Sequence, residues 1–273
     1  MIFDLHSHTT RSDGLLAPRE LLNRALEQGV DVLAITDHDT VDAYRDLPAA
    51  VQRIALVAGV EFSTRWEHTG IHVLALDIDL ASAAIDAAVR FQTAARLTRA
   101  RRIAEILEKM GVEDALAGTS GYAADGYIGR PHFARHLVAI GRASSVQDAF
   151  KRFLGDGKSC DVKQHWAELP QIVRWICEGG GIAVLAHPLK YKLTRTKLKR
   201  LLSHFVEVGG QGLEVISGQQ EAQHTAAMAQ LCEQHGLLAS AGSDFHGPGK
   251  PWAELGAIGA LPDNVTPVWE RFS

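Results

Sequence analysis

Seven short apolar runs, each close to polar side chains capable of chemistry, recur along the 273 residues and leave few folds open. They lie at 2–6 (IFDLH), 31–36 (DVLAIT), 54–60 (IALVAGV), 71–77 (IHVLALD), 182–187 (IAVLAH), 213–217 (LEVIS) and 238–243 (LASAGS). Between them, 18–29, 168–178 and 219–235 repeat apolar residues at the 3.6-residue period of a helix. Strand–helix alternation of this kind predicts a parallel sheet with helices outside it, and seven strands are enough to close a barrel. The composition, 46% hydrophobic and 22% charged, belongs to a globular chain and excludes disorder. No apolar run approaches the roughly 20 residues that span a bilayer. The opening MIFDLHSHTTRSDG has neither a basic stretch nor an apolar stretch of a secretion signal. Cys160, Cys177 and Cys232 are odd in number and far apart, which predicts reduced thiols and a cytoplasmic location.

The alternation breaks after a long helix expected at about 82–110 and closed by Gly111. Helices are expected near 131–140 and 146–154, with Pro131 in a first turn and Ser145 and Asp148 as a variant capping box. The expected organisation is therefore a barrel from residues 1–97 and 166–273, with 98–165 a small helical insertion that caps it. Charge divides along similar lines. Residues 90–165 carry a net charge of +5 and the remainder −9, which suggests an anion held by one part and cations by the other.

The strand ends carry the chemistry. His6-Ser7-His8 closes the first run, with Asp13 five residues on; Thr36-Asp37-His38-Asp39 closes the second and Gly59-Val60-Glu61 the third. His187 closes the fifth and Ser243-Asp244-Phe245-His246 the seventh, while His72 sits at the start of the fourth. In a parallel barrel the strand C-termini open onto one face, where active sites are built. His6, His8, Asp13, His38, Glu61, His72, His187, Asp244 and His246 are then nine candidate ligands. Their nitrogen and oxygen donors suit Mn²⁺, Zn²⁺ or Fe²⁺ better than a thiolate site would. Nine ligands exceed the four of a structural zinc and imply two or three ions, the equipment of phosphoryl or acyl hydrolysis.

These motifs, with Ser12-Asp13-Gly14 and Ala186-His187-Pro188, resemble the PHP (polymerase and histidinol phosphatase) family of the amidohydrolase superfamily. The resemblance implies an α/β fold, a distorted seven-stranded (β/α)7 barrel, with a three-ion centre of divalent metal, manganese first and zinc, iron or magnesium as alternatives. It implies one ion on His6, His8, Glu61 and Asp244, a second on Asp13, His38 and His246, and a third on His72, His187 and bridging Glu61. A superfamily deacetylase or amidase would show a bridging lysine at a strand end, and none of these ends offers one.

The insertion bears on the substrate. Ile128-Gly129-Arg130-Pro131-His132-Phe133-Ala134-Arg135-His136 puts Arg130 at a helix N-terminus, and Leu154-Gly155-Asp156-Gly157-Lys158 presents a lysine on a glycine-flanked turn. Arg130, Arg135 and Lys158 are the expected anchors of a phosphate that is not cleaved. Arg96, Arg99, Arg101 and Arg102 read as a solvated or insertion-facing stripe of the long helix, and the six basic residues from Lys190 to Arg200 as a solvated face, with guidance of an RNA as the alternative.

Within the family, the insertion resembles that of nucleoside 3′,5′-bisphosphate phosphatases. That implies removal of the 3′-phosphate of a bisphosphate such as 3′-phosphoadenosine 5′-phosphate by a metal-bridged hydroxide, with His187 and Asp244 as catalytic groups. The alternatives are a 5′-to-3′ exoribonuclease on short 5′-phosphorylated RNA and, from another class, an inert metal-binding scaffold. The expected partner is thus a small anionic nucleotide or short RNA. Duplex DNA is not expected, because the chain is acidic and has no base-stacking motif, and neither is a membrane.

Overall fold

In the computed structural model, residues 1–47, 53–123, 127–155, 157–162 and 165–272 are described. Seven strands form one sheet in sequence order: β1 (Phe3–Asp4), β2 (Val32–Ile35), β3 (Ala55–Trp66), β4 (Thr69–Leu76), β5 (Ile182–Leu185), β6 (Gly212–Ser217) and β7 (Leu238–Gly242). The sheet curls until its edges meet. Leu5 N–H donates to Ala241 O at 3.1 Å, Asp244 N–H to His6 O at 2.9 Å, and Ser7 bridges Phe245 in parallel. Gly242 permits that closure, because a Cβ there would lie 2.4 Å from the His6 Cβ.

β1, β2 and β3 pair in parallel, as do β5, β6 and β7, but β4 runs antiparallel to both β3 and β5. This corrects the expected all-parallel sheet. β3 runs on through Trp66, six residues beyond its expected end, so only Glu67 and His68 separate it from β4, and Trp66 pairs with Thr69. A two-residue turn can join only antiparallel strands, since a parallel crossover needs a dozen residues or more.

Side-chain alternation sorts the strands into an outer and an inner face. Val60, Phe62, Val73, Ala75, Ala183 and Leu185 pack outward with residues of the surrounding helices. Their alternates Val57, Leu74, Leu76, Ile182 and Val184 join Leu5, Val32 and Ala34 in the barrel interior, which Val268 helps to fill. Glu61 has the parity of Val57, and His72 that of Leu74, so both face inward at the open end. The helices follow from spacing: α1 (Pro18–Glu27) buries Leu21, Leu22 and Ala25, and its Glu20 carboxylate accepts from Ala17 N–H at 2.8 Å.

α2 (Ala83–Lys109) is one unbroken helix of 27 residues. Ile85 and Ala88 near its start belong to the outer barrel core, whereas Ala100, Ile103, Ala104 and Leu107 belong to a separate cluster that extends to Val162. That second cluster is built on α3 (Ala115–Ser120), which periodicity does not reveal, and α4 (Arg130–Ala139). α5 (Val146–Ala149) completes it, capped as expected by the Ser145 hydroxyl, which accepts from Asp148 N–H at 3.1 Å; it continues into a π-turn over Phe150–Leu154. The chain returns to the barrel through α6 (Leu169–Glu178), α7 (Arg195–Glu207) and α8 (Ala222–Gln234).

Candidate metal centre

All nine candidate ligands meet at the open end of the barrel. His6 and His8 follow β1, His38 follows β2, Glu61 lies within β3, His187 follows β5, and Asp244 and His246 follow β7. Asp13 arrives on a turn in which Gly14 N–H donates to Thr9 O at 2.9 Å. The turn is fastened by Asp37, whose carboxylate accepts from Thr9 N–H at 2.7 Å and from the Ser12 hydroxyl. His72 is explained by strand direction. Because β4 runs antiparallel, its first residues lie on the same rim as the last residues of the parallel strands.

Four donor atoms surround one point. Glu61 Oε2 stands 3.3 Å from both His6 Nε2 and His8 Nε2, and Asp244 Oδ1 stands 3.4 and 3.3 Å from the same two nitrogens. Beside them, His246 Nε2 is 3.3 Å and His38 Nε2 3.9 Å from the two oxygens of Asp13. On the other side, Glu61 Oε1 meets His72 Nδ1 at 2.8 Å and His187 Nε2 at 2.9 Å. Other groupings of the same ligands are equally close: His8 joins Asp13, His38 and His246, and His187 joins His6 and Asp244, while Glu61 touches His38 Nδ1 as well (2.9 Å from Oε2).

The donor set fits divalent cations. His6 Nε2, both ring nitrogens of His8, Asp13 Oδ1, His38 Nδ1 and Glu61 Oε2 are buried with no hydrogen-bond partner, a costly condition unless a cation takes their lone pairs. Burial pushes His8 well below its ordinary value, helped by His246 and His38, takes His72 down to about 4, and lowers His187. Burial alone would raise Asp13 and Glu61. The neighbouring imidazoles outweigh it, His246 and His38 first at Asp13 and His38 and His72 at Glu61, and hold both carboxyls well below their usual range. Burial opposes a charge on His6, yet Glu214 and Glu61 raise it to about 10. The lowered imidazoles of His8, His72 and His187 beside ionised carboxylates are ligand forms a metal requires, and His6 would give up its proton to one.

Three supporting residues carry no motif in the sequence. Glu214, fully enclosed on β6, accepts from the His6 ring at Nδ1 (2.9 Å) and from His187 N–H (2.5 Å). A lone acid in the otherwise apolar run LEVIS is the available signal. Lys190 reaches the Asp244 carboxylate, and the Tyr191 hydroxyl donates to Ala186 O at 2.7 Å while accepting from His72 N–H at 3.0 Å. His187 and Asp244 both hold left-handed backbone conformations (φ +26° and +54°), the strained geometry that collects at functional sites.

A cleft of about 250 Å³ separates this cluster from the insertion, with Asp13, His38, His72 and His187 on one side and Arg96, Arg99 and Arg130 on the other. Of the three expected anchors, only Arg130 lines it. The Arg135 guanidinium donates to Asp13 O at 2.9 Å and so ties α4 to the ligand turn. Lys158 is exposed on its turn outside the cleft, and Asp156 beside it lies outside the described residues.

The arginine stripe divides between its two expected readings, solvated and insertion-facing. Arg101 and Arg102 are exposed, but Arg96 and Arg99 are only 7% and 8% exposed. Arg96 pairs with the buried Asp39 carboxylate and lies between the rings of Tyr127 (4.2 Å) and Trp166 (4.9 Å). Arg99 donates to Val162 O at 2.6 Å; burial, with Arg130 and Arg96 nearby, lowers it to about 9.

The model of the PHP domain family matches residues 4–178. The 5′-3′ exoribonuclease Rnm of Escherichia coli is 45% identical over 99% of this chain and 93% of its own length. The 3′,5′-nucleoside bisphosphate phosphatase of Chromobacterium violaceum is 38% identical over 98% and 95%. A solved structure of an amidohydrolase from Chromobacterium violaceum, with bound sulfate and no metal, superposes with a TM-score of 0.91 over 99% of this chain and 95% of that one, at 38% identity.

Proposed function

Since the chain belongs to the PHP domain family and is a metal-dependent hydrolase of phosphoester bonds, we propose that it breaks the bond between phosphorus and the 3′-oxygen of a nucleotide that carries a 5′-phosphate. Water adds to phosphorus and the nucleotide leaves through its 3′-hydroxyl. On a bisphosphate the products are a nucleoside 5′-monophosphate and inorganic phosphate. On 5′-phosphorylated RNA they are the same monophosphate and a shortened RNA with a new 5′-phosphate. The two activities named in the relatives thus differ only in what the phosphorus carries beyond the scissile bond. We place short RNA first, because 45% identity to an exoribonuclease exceeds 38% to a phosphatase, with the bisphosphate as the smallest substrate.

The observation that carries this reading is the cleft itself, a donor cluster facing three guanidiniums across one small space. Arg130 and Arg96 crowd Arg99 with like charge, an environment suited to a bound anion. Arg130 and Arg99 would take the 5′-phosphate, and Tyr127 and Trp166 offer rings beside it. Divalent ions, three by the donor count and of a kind that accepts nitrogen and oxygen donors, as manganese does, would be held by the nine ligands and supply Lewis acidity and a readily ionised water. Asp244, whose Oδ1 lies 3.3 to 3.5 Å from ring nitrogens of His6, His8 and His246, would orient the attacking water and accept its proton. His187, which lines the cleft, would hydrogen-bond the departing 3′-oxygen.

The test is turnover, with Mn²⁺ present, of adenosine 3′,5′-bisphosphate, 3′-AMP, 5′-AMP, histidinol phosphate and a pentaribonucleotide with and without a 5′-phosphate. The bisphosphate and the 5′-phosphorylated pentamer are expected to exceed 3′-AMP and the 5′-hydroxyl pentamer by about 10²-fold in kcat/KM, because a site built for a charged group rejects the analogue lacking it. Equal turnover of 3′-AMP would remove the anchoring role of the arginines.

Glu214→Gln is expected to weaken metal binding about 10- to 100-fold, the usual cost of losing the partner that orients a ligating histidine. Metal content after dialysis against a competing chelator measures it. Retention equal to the native protein would deny Glu214 that role.

A further inference from the structure

The six basic residues from Lys190 to Arg200 are not used by the reaction at the cleft beyond Lys190 itself. They run directly out of it. Lys190 and Tyr191 line the cleft, and α7 begins four residues later at Arg195. A second, larger groove of about 670 Å³ lies against α7, bordered by Arg195, Lys199, Arg200 and His204 and, across from them, by Trp66 and Glu67 of the β3–β4 turn. That turn also contributes Thr69 and Gly70 to the cleft, so one hairpin tip forms a wall of both spaces. Arg195 and Lys199 are four residues apart, hence neighbours on one face of the helix. Arg195 is held by the neutral Gln230 side chain at 2.7 Å rather than by an acid. Arg200 bonds Glu67 at 2.6 Å and covers the Trp66 ring at 5.6 Å, which fixes the rim of the groove. Glu207 is the acid at the far end.

We propose that this groove carries the downstream part of a single-stranded RNA whose first nucleotide occupies the cleft, with Arg195 and Lys199 receiving its backbone phosphates. The proposal rests on the function given above. What supports RNA as the occupant is charge complementarity and continuity: a chain of phosphates leaving the cleft past Lys190 meets a row of cations along the groove, whereas a bisphosphate ends before reaching it. Backbone recognition of this kind is indifferent to base sequence and sensitive to salt.

The experiment compares the metal-loaded native protein with an Arg195→Glu/Lys199→Glu variant on the bisphosphate and on 5′-phosphorylated RNAs of two, five and ten nucleotides. Native KM is expected to fall with length. The variant is expected to raise KM for the decamer about tenfold and to flatten its salt dependence, by about 0.7 in log–log slope for each phosphate no longer neutralised. Its turnover of the bisphosphate is expected to stay within about twofold, since neither residue lines the cleft. Arg195→Lys/Lys199→Arg, which keeps both charges, should behave as the native protein.

A length-independent KM, or equal losses on bisphosphate and decamer, would overturn the groove. Binding is read separately with a 3′-labelled decamer bearing a phosphorothioate first linkage. If neither bisphosphate nor RNA is hydrolysed, the proposed reaction fails, and if the decamer also binds the native protein and the charge-reversed variant equally, the groove fails too.

Discussion

Glu61→Ala is expected to lower kcat by about 10³-fold or more on every substrate, at the upper end of what removing one electrostatic contributor costs an active site. Its two oxygens reach five of the six candidate histidine ligands: His6, His8 and His38 through Oε2, His72 and His187 through Oε1. The carboxylate is fully buried, so alanine leaves a hole lined by imidazole nitrogens with nothing to receive. The histidines that hold Glu61 ionised would in turn lose the charge that balances them. Metal content should fall together with activity, and Glu61→Gln, which keeps the volume and removes the charge, should fail in both respects as well. Elemental analysis of the purified variants alongside kcat measures this. A Glu61→Ala protein with native turnover would rule out the assignment of the centre.

Arg96→Met is expected to destabilise the fold by about 3–5 kcal/mol, because it strands a buried carboxylate. Asp39 accepts from Ser63 N–H at 2.7 Å, from the Ser63 hydroxyl at 2.9 Å and from Gln92 at 3.0 Å, in addition to its ion pair with Arg96. Burial would raise its pKa; Arg96 first, and then the Ser63 N–H and neighbouring His38, keep it below the ordinary value. The midpoint of thermal unfolding should drop on the order of 10 °C. Adding Asp39→Asn removes the stranded charge while tolerating the left-handed backbone at that position, so the double variant should recover part of the loss. A single variant as stable as the native protein would mean that Asp39 is compensated by its other donors alone.

The site is more legible in the sequence than the sheet that carries it. Strand-end motifs gather polar residues at fixed positions, and barrel closure brings those positions together whatever the strand lengths are; hence nine ligands can be named from spacing and resemblance. Strand direction is not written that way. The segment FSTRW, three polar residues between two aromatics, lies beyond the apolar run that marks β3, yet it is the strand extension that shortens the β3–β4 connection to a hairpin. Once β4 is reversed, the misplaced histidine at its start becomes the correctly placed one. Glu214 and Arg96 are hidden for another reason. Each looks like an ordinary charge in a strand or helix, and only the packing of a second element over it turns it into a buried partner. Lys158 misleads in the opposite direction: a glycine-flanked lysine has the appearance of an anion site, but the turn leaves it exposed to solvent.

α2 has no glycine or proline between Ala83 and Lys109, and as a continuous helix it is about 40 Å long. One end is set in the barrel and the other in the insertion, and Arg96 and Arg99, near its middle, face the cleft. The helix therefore acts as the beam of a caliper. The gap between the donor cluster and the guanidiniums is set by the length of a rigid rod instead of by a swinging joint. On the function proposed above, that gap would sort substrates by length: a nucleotide whose two phosphorus atoms match it would be gripped at both ends, and one with a single phosphate would fill only one jaw.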